Sequence, residues 1–101
     1  MTTTTSIGRN VGDKPMPLED WRRFRRLILA DAERVGAVYF EGDGNGIFEG
    51  RDENSYTVVH ENPIPWHRLN VLAGHFEQDS IAVTTGETRF ILPPGRGVLY
   101  A

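Results

Sequence analysis

Cysteine is absent from this chain of 101 residues. That excludes a disulfide framework and any thiolate metal site, and it argues against a small secreted scaffold. Long apolar runs are missing too: none approaches the roughly 18 residues of a membrane-spanning helix. Met1-Thr2-Thr3-Thr4-Thr5-Ser6 has neither the basic start nor the apolar stretch of a secretory leader, so a cytoplasmic protein without a membrane partner is expected. An excess of basic residues is likewise lacking. Eleven Lys and Arg face 14 Asp and Glu, and the net charge of −3 draws the domain toward neither nucleic acid nor anionic lipid. No Gly-x-Ser-x-Gly elbow and no phosphate loop ending in Gly-Lys occurs.

What is present is an ordered succession of patterns. Thr4 to Val11 suits an edge strand, because threonine favours extended backbone. Pro17, Glu19 and Asp20 suit the first turn of a helix. Apolar residues then recur at 21, 24, 27, 28, 32 and 35, a helical stripe that Gly36 closes. Ala37 to Phe40 suits a strand, the glycine-rich stretch Glu41 to Gly46 a turn, and Ile47 to Glu49 a return strand. Ser55 to His60, rich in β-branched residues, is the clearest strand. Pro63 and Pro65 open a second helix, over Trp66 to Gln78, with its stripe at Leu69, Leu72, Ala73 and Phe76. Ser80 to Thr84 and Thr88 to Leu92 suit further strands.

The order is β-α-β-β-α-β, that of the ferredoxin-like split unit, an α+β domain with two helices on one face of an antiparallel sheet. Residues 1–5 are expected to be a flexible polar tail, 6–92 the single domain, and 93–101 an extended C-terminal tail. Apolar residues in both alternating sets of Ser55–His60 and Ala37–Phe40 suggest a sheet greasy on two faces. A homodimer would cover the free one.

Four constellations each have a plainer alternative. Counted from Glu41, residues Asp43, Asn45, Gly46, Phe48, Glu49 and Asp52 occupy calcium-loop positions, yet Asp-Gly and Asn-Gly are foremost hairpin signals. Arg22-Arg23-Phe24-Arg25-Arg26 forms a solvated helix face more readily than a nucleic-acid patch. His67 and His75 lie about 12 Å apart along one helix and cannot share an ion, and nothing places His60 beside them. Acid pairs such as Glu49 and Glu53 arise freely among so many carboxylates. No metal or cofactor is expected.

Trp21-x2-Phe24, Gly46-x-Phe48, Glu53-x-Ser55 and Phe76-x-Gln78 together give a resemblance. The chain resembles, over residues 7 to 91, a family of small bacterial and actinobacterial-phage proteins with a predicted ferredoxin-like fold. That resemblance implies a fold and a dimer, but no reaction.

Polar residues near strand and helix ends in this topology mark a candidate ligand site: Arg9, Asn10, Glu53, Ser55 and Gln78, all of types that also cap such ends. No covalent catalytic constellation is evident. The first expectation is therefore a small non-enzymatic interaction protein, of the phage or bacterial origin that the resemblance implies, docking a host protein or holding a small polar ligand. The alternative is a small dimeric α+β enzyme, or a protein that sequesters a ligand, with Glu53 or His60 as base.

Overall fold

The computed structural model describes residues 1–87, 89–91, 93–95 and 98–100. In chain order the elements are β1 (Thr2–Gly8), β2 (Asn10–Val11), β3 (Lys14–Pro15), α1 (Leu18–Val35), β4 (Val38–Phe48), β5 (Arg51–Glu61), α2 (Trp66–His75), β6 (Ala82–Gly86), β7 (Arg89–Ile91) and β8 (Val98–Tyr100). Four strands form one antiparallel sheet in the order β4-β5-β1-β6. The strand returning after α2 thus flanks β1, and the β4–β5 hairpin lies on β1's other side. This α+β layout is compatible with the ferredoxin-like order.

One core joins the two helices to one sheet face. Trp21, Phe24, Ile28 and Ala32 of α1 pack with Leu69, Leu72 and Phe76 of the α2 segment over Ile7, Tyr56 and Val58. Phe24 and Phe76 stack at 4.3 Å between ring centres, joining the helices directly. Asp31 adds a polar tie. It is buried on α1, and its carboxylate takes hydrogen bonds from Arg34 on the same helix and Arg68 on α2.

Pairing sets which residues share a face. Thr3, Thr5 and Ile7 stand opposite His60, Val58 and Tyr56, and all six are buried on the helix side. The reverse side carries Thr4, Ser6 and Gly8 beside Val59, Thr57 and Ser55, with Ala82 and Thr84 of β6. Its middle is hydroxyls and glycine, and its apolar side chains (Phe40, Val59, Phe48 and Ala82) are scattered toward its margins, so the continuous second greasy face expected from the sequence is not there. Thr and Val share β propensity while differing in polarity, so a β-branched alternating pattern does not by itself set how apolar a sheet face is.

Three boundaries differ from expectation. Residues 2–5 are not a loose tail but the first half of β1, a central rather than an edge strand, with Thr3 and Thr5 wholly buried. The glycine-rich stretch is not the turn: β4 runs through it to Phe48. The reversal is at Glu49-Gly50, where positive φ at both residues (51° and 79°) marks a type I′ turn. Ala37-to-Phe40 and Ile47-to-Glu49 are thereby one long strand, not two. At the other end, residues 98–100 are not an extended tail; they pair back on β7 as β8. Expectations for Thr88 and Leu92 lie outside the described residues.

The hairpin root is bolted to α1. Arg25 donates to both carboxylate oxygens of Asp43 at 2.6 Å and lies over the rings of Trp21 and Tyr56. Burial pushes the Tyr56 phenol well above its ordinary range, reinforced by its hydrogen bond to Glu41. Glu41, Asp43 and Asn45 therefore engage Tyr56, Arg25 and Asn54 respectively. Spread along an extended strand, they do not converge as calcium ligands, and that reading is set aside.

Candidate functional site

The far end of the open face holds a cleft of about 240 Å³. Its floor is Ser6 and Gly8 of β1 with Ser55 and Glu53 of β5. The hairpin arm, through Gly46 and Phe48, forms one wall, and the segment Gln78 to Ala82 after α2 the other.

Glu53 is the side chain around which the cleft is organised. It lies across β1 at Gly8, where a β-carbon would come 2.0 Å from its Oε1. No side chain but hydrogen fits there. The backbone N–H of Asn10 donates to Oε1 at 3.1 Å. Among the described residues no protein group donates to Oε2. The carboxylate is half-buried, fixed through one oxygen, and offers the other to the cleft.

Asn10 is fixed in turn. Its Nδ2 donates to the Asp52 carbonyl at 2.9 Å, and its own carbonyl accepts from Gln78 Nε2 at 3.2 Å. The end of α2 positions Gln78. Glu77 takes a left-handed conformation (φ 52°), Gln78 N–H reaches the Ala73 carbonyl and Glu77 N–H the Gly74 carbonyl. This is a Schellman closure, which is why the helix stops at His75 rather than at Gln78. Ser6 and Thr57 hydroxyls bond at 2.9 Å on the floor.

Of the five residues singled out from the sequence, Asn10, Glu53, Ser55 and Gln78 all line this cleft. Arg9 does not. Its Nε donates to the Met16 carbonyl at 2.9 Å, and its backbone bonds Met16 and Asn54, so it braces the β2–β3 loop instead. Sequence reasoning missed Gly8, Gly46, Phe48, Arg51 and Asp79. The signal that could have found this wall is the period of two in Gly42, Gly44 and Gly46, which fits one face of a strand as well as a turn.

The charge of the lining is lopsided. Glu49, Glu53 and Asp79 set three carboxylates against the guanidinium of Arg51. A second, wider cleft between Met16, Asp20, Arg23 and His75 mixes both signs and holds no such half-buried acid. Among the described residues no group of three His, Asp or Glu side chains is placed to hold a metal ion.

His60, the other candidate base, faces away from the cleft into the core and is wholly buried. Its Nδ1 lies 2.9 Å from the Asn62 carbonyl, which can only accept, so Nδ1 carries the proton. Nε2 then accepts from the Thr5 hydroxyl at 2.9 Å. Nε2 ties β5 to β1 and Nδ1 ties the end of β5 to the turn after it, so both nitrogens are engaged and a catalytic part for His60 is corrected to a structural one.

No protein-family model matches this chain, and neither does any curated protein. Two solved structures do resemble it. Both are of a phage SAM lyase, one in the apo state and one in complex with S-methyl-5′-thioadenosine. Identity is 20% in each case, and 81% of this chain is covered. The match covers 75% of the apo chain with a TM-score of 0.47, and 76% of the complexed chain with a TM-score of 0.44. Likeness at this level concerns the path of the chain and carries over no residue. The chains found are phage proteins. Both are described as an enzyme, so the expectation of a non-enzymatic interaction protein finds no support among them. That expectation came from missing nucleophiles and phosphate loops, and their lack excludes only the reactions that use them; a carboxylate in a cleft needs neither.

Proposed function

We propose that the Glu53 cleft is a small-molecule site, in a ligand-sequestering protein or a small enzyme, and that its ligand is a cation that also carries hydrogen-bonding groups. The observation that supports this is the Glu53 carboxylate, anchored by Asn10 through one oxygen and open through the other, among acidic neighbours. A fixed, half-desolvated carboxylate selects ammonium, sulfonium or vicinal hydroxyl groups, since each offers positive charge or paired donors. Ser6, Ser55 and Gln78 supply further polar contacts, and Phe48 an apolar wall. In an enzyme the same carboxylate would stabilise developing positive charge or take a proton.

The ligands named for the similar chains provide a first probe pair. SAM is a sulfonium cation, and S-methyl-5′-thioadenosine is its neutral relative. Calorimetric titration of both, alongside a simple diamine, tests the reading. Saturable binding that favours the cations and weakens about tenfold to a hundredfold in Glu53→Gln is expected. Cations that bind no tighter than the neutral compound, and equally to wild type and variant, would remove the proposal. Incubation with SAM followed by mass spectrometry separates turnover from sequestration.

A further inference from the structure

The outer edge of β4 has no strand partner among the described residues, although β4 is 11 residues long. A long open edge is a template for strand addition, which proteins commonly block with lysine, proline or inward charge. Between Val38 and Phe48 there is neither lysine nor proline. Its two acids do not guard the edge either, since Asp43 is drawn to Arg25 and Glu41 to Tyr56. One bulge, between Val38 and Phe40, protects the start of the strand and leaves the stretch from Phe40 to Phe48 regular.

That stretch is symmetric about Gly44. Gly42 and Gly46 stand two residues to either side and Phe40 and Phe48 four, all on the open face. Phe40 is 60% exposed and Phe48 52%. In a two-residue hairpin the closing pair, Phe48 with Arg51, is hydrogen-bonded. Even-numbered residues of β4 therefore direct their backbone groups at β5, and Glu41, Asp43, Asn45 and Ile47 direct theirs outward.

We infer that β4 pairs antiparallel with β4 of a second copy of this chain, about a two-fold axis at Gly44, making one continuous sheet. In that register the outward groups meet in hydrogen-bonded pairs, Asp43 with the partner's Asn45 and Glu41 with the partner's Ile47. About eight inter-chain hydrogen bonds result. Phe40 falls opposite the partner's Phe48 at both ends, in the closer, non-hydrogen-bonded positions where aromatic pairs contact well. Charge selects this register over its neighbours. Centring on Asp43 opposes Asp43 to itself, and centring on Gly42 opposes Glu41 to the partner's Asp43. Centring on Asn45 sets Phe48 against glycine. The homodimer thus forms edge to edge rather than through the sheet face expected from the sequence.

The absence of native cysteine makes the register directly testable. Gly44→Cys places two thiols opposite each other with Cα atoms about 4.5 Å apart, within disulfide range. Mild oxidation should yield a covalent dimer in high yield. Gly46→Cys alone should remain uncrosslinked, whereas a mixture of Gly42→Cys and Gly46→Cys should form the mixed disulfide. Sedimentation velocity of the unmodified protein should show a monomer–dimer equilibrium, shifted to monomer by Asn45→Pro, which removes an outward N–H and leaves the ladder to β5 intact. A wild type that stays monomeric into the high micromolar range, a trimer, or equal crosslinking of Gly44→Cys and Gly46→Cys would overturn the inference.

Discussion

Glu53 occupies the space that a side chain at position 8 would fill: a β-carbon there would lie 2.5 Å from its carboxyl carbon. The glycine and the acid are therefore one unit. Gly8→Ala forces the carboxylate off β1 and breaks its bond from Asn10, at a cost of about 1–3 kcal/mol. Ligand affinity should fall at least as far as in Glu53→Gln. The double variant Gly8→Ala with Glu53→Ala should be more stable than Gly8→Ala alone, because the clash is gone. Urea melts of wild type, Gly8→Ala, Glu53→Ala and the double variant measure that non-additivity.

Asp31 is the buried hub of the helix layer. Asp31→Ala should lower stability by about 1–3 kcal/mol, less than for a fully buried pair, because Arg34 and Arg68 can turn to water. At this chain length that is a fall of about 4–8 °C in melting temperature per kcal/mol. Arg68→Met should cost more than Arg34→Met. Arg68 links α2 to α1, while Arg34 is 66% exposed and binds within its own helix.

His60→Ala separates structure from chemistry. It opens a cavity and leaves the Thr5 hydroxyl and the Asn62 carbonyl without their partner, at a cost of about 2–4 kcal/mol. The folded fraction should still bind cleft ligands with wild-type affinity. A binding defect at full folding would return His60 to the site.

Alkali should find Tyr56. Its phenol is held neutral by burial and by its bond to Glu41, so its folded-state pKa lies above the unfolded value. The resulting stability is whole below about pH 10 and is lost as pH rises beyond it. Denaturant melts from pH 8 to 11 should show a decline that Tyr56→Phe reduces.

Much of the helix layer was legible because a buried stripe repeats with the helical period: Trp21, Phe24, Ile28 and Ala32, then Leu69, Leu72 and Phe76. The clustering of Asn10, Glu53, Ser55 and Gln78 followed from the element order alone, since the topology brings the ends of β1, β5 and α2 together. The hairpin was not legible. Asp-Gly and Asn-Gly are strong turn signals, but here they stand in a strand whose glycines alternate on one face, and Glu49-Gly50 makes the reversal. Nor was the buried Thr3–Thr5 segment, because threonine composition does not distinguish a tail from a central strand paired on both sides.

An amide-resolved NMR titration with the cationic probe is the most direct measurement. Saturable shifts should centre on Gly8, Asn10, Ser55 and Gly46, with the Asn10 amide moving most because its acceptor is the anchoring carboxylate. Shifts confined to Met16, Arg23 and His75 in the other cleft, or the same pattern undiminished in Glu53→Gln, would contradict a cation site built on Glu53.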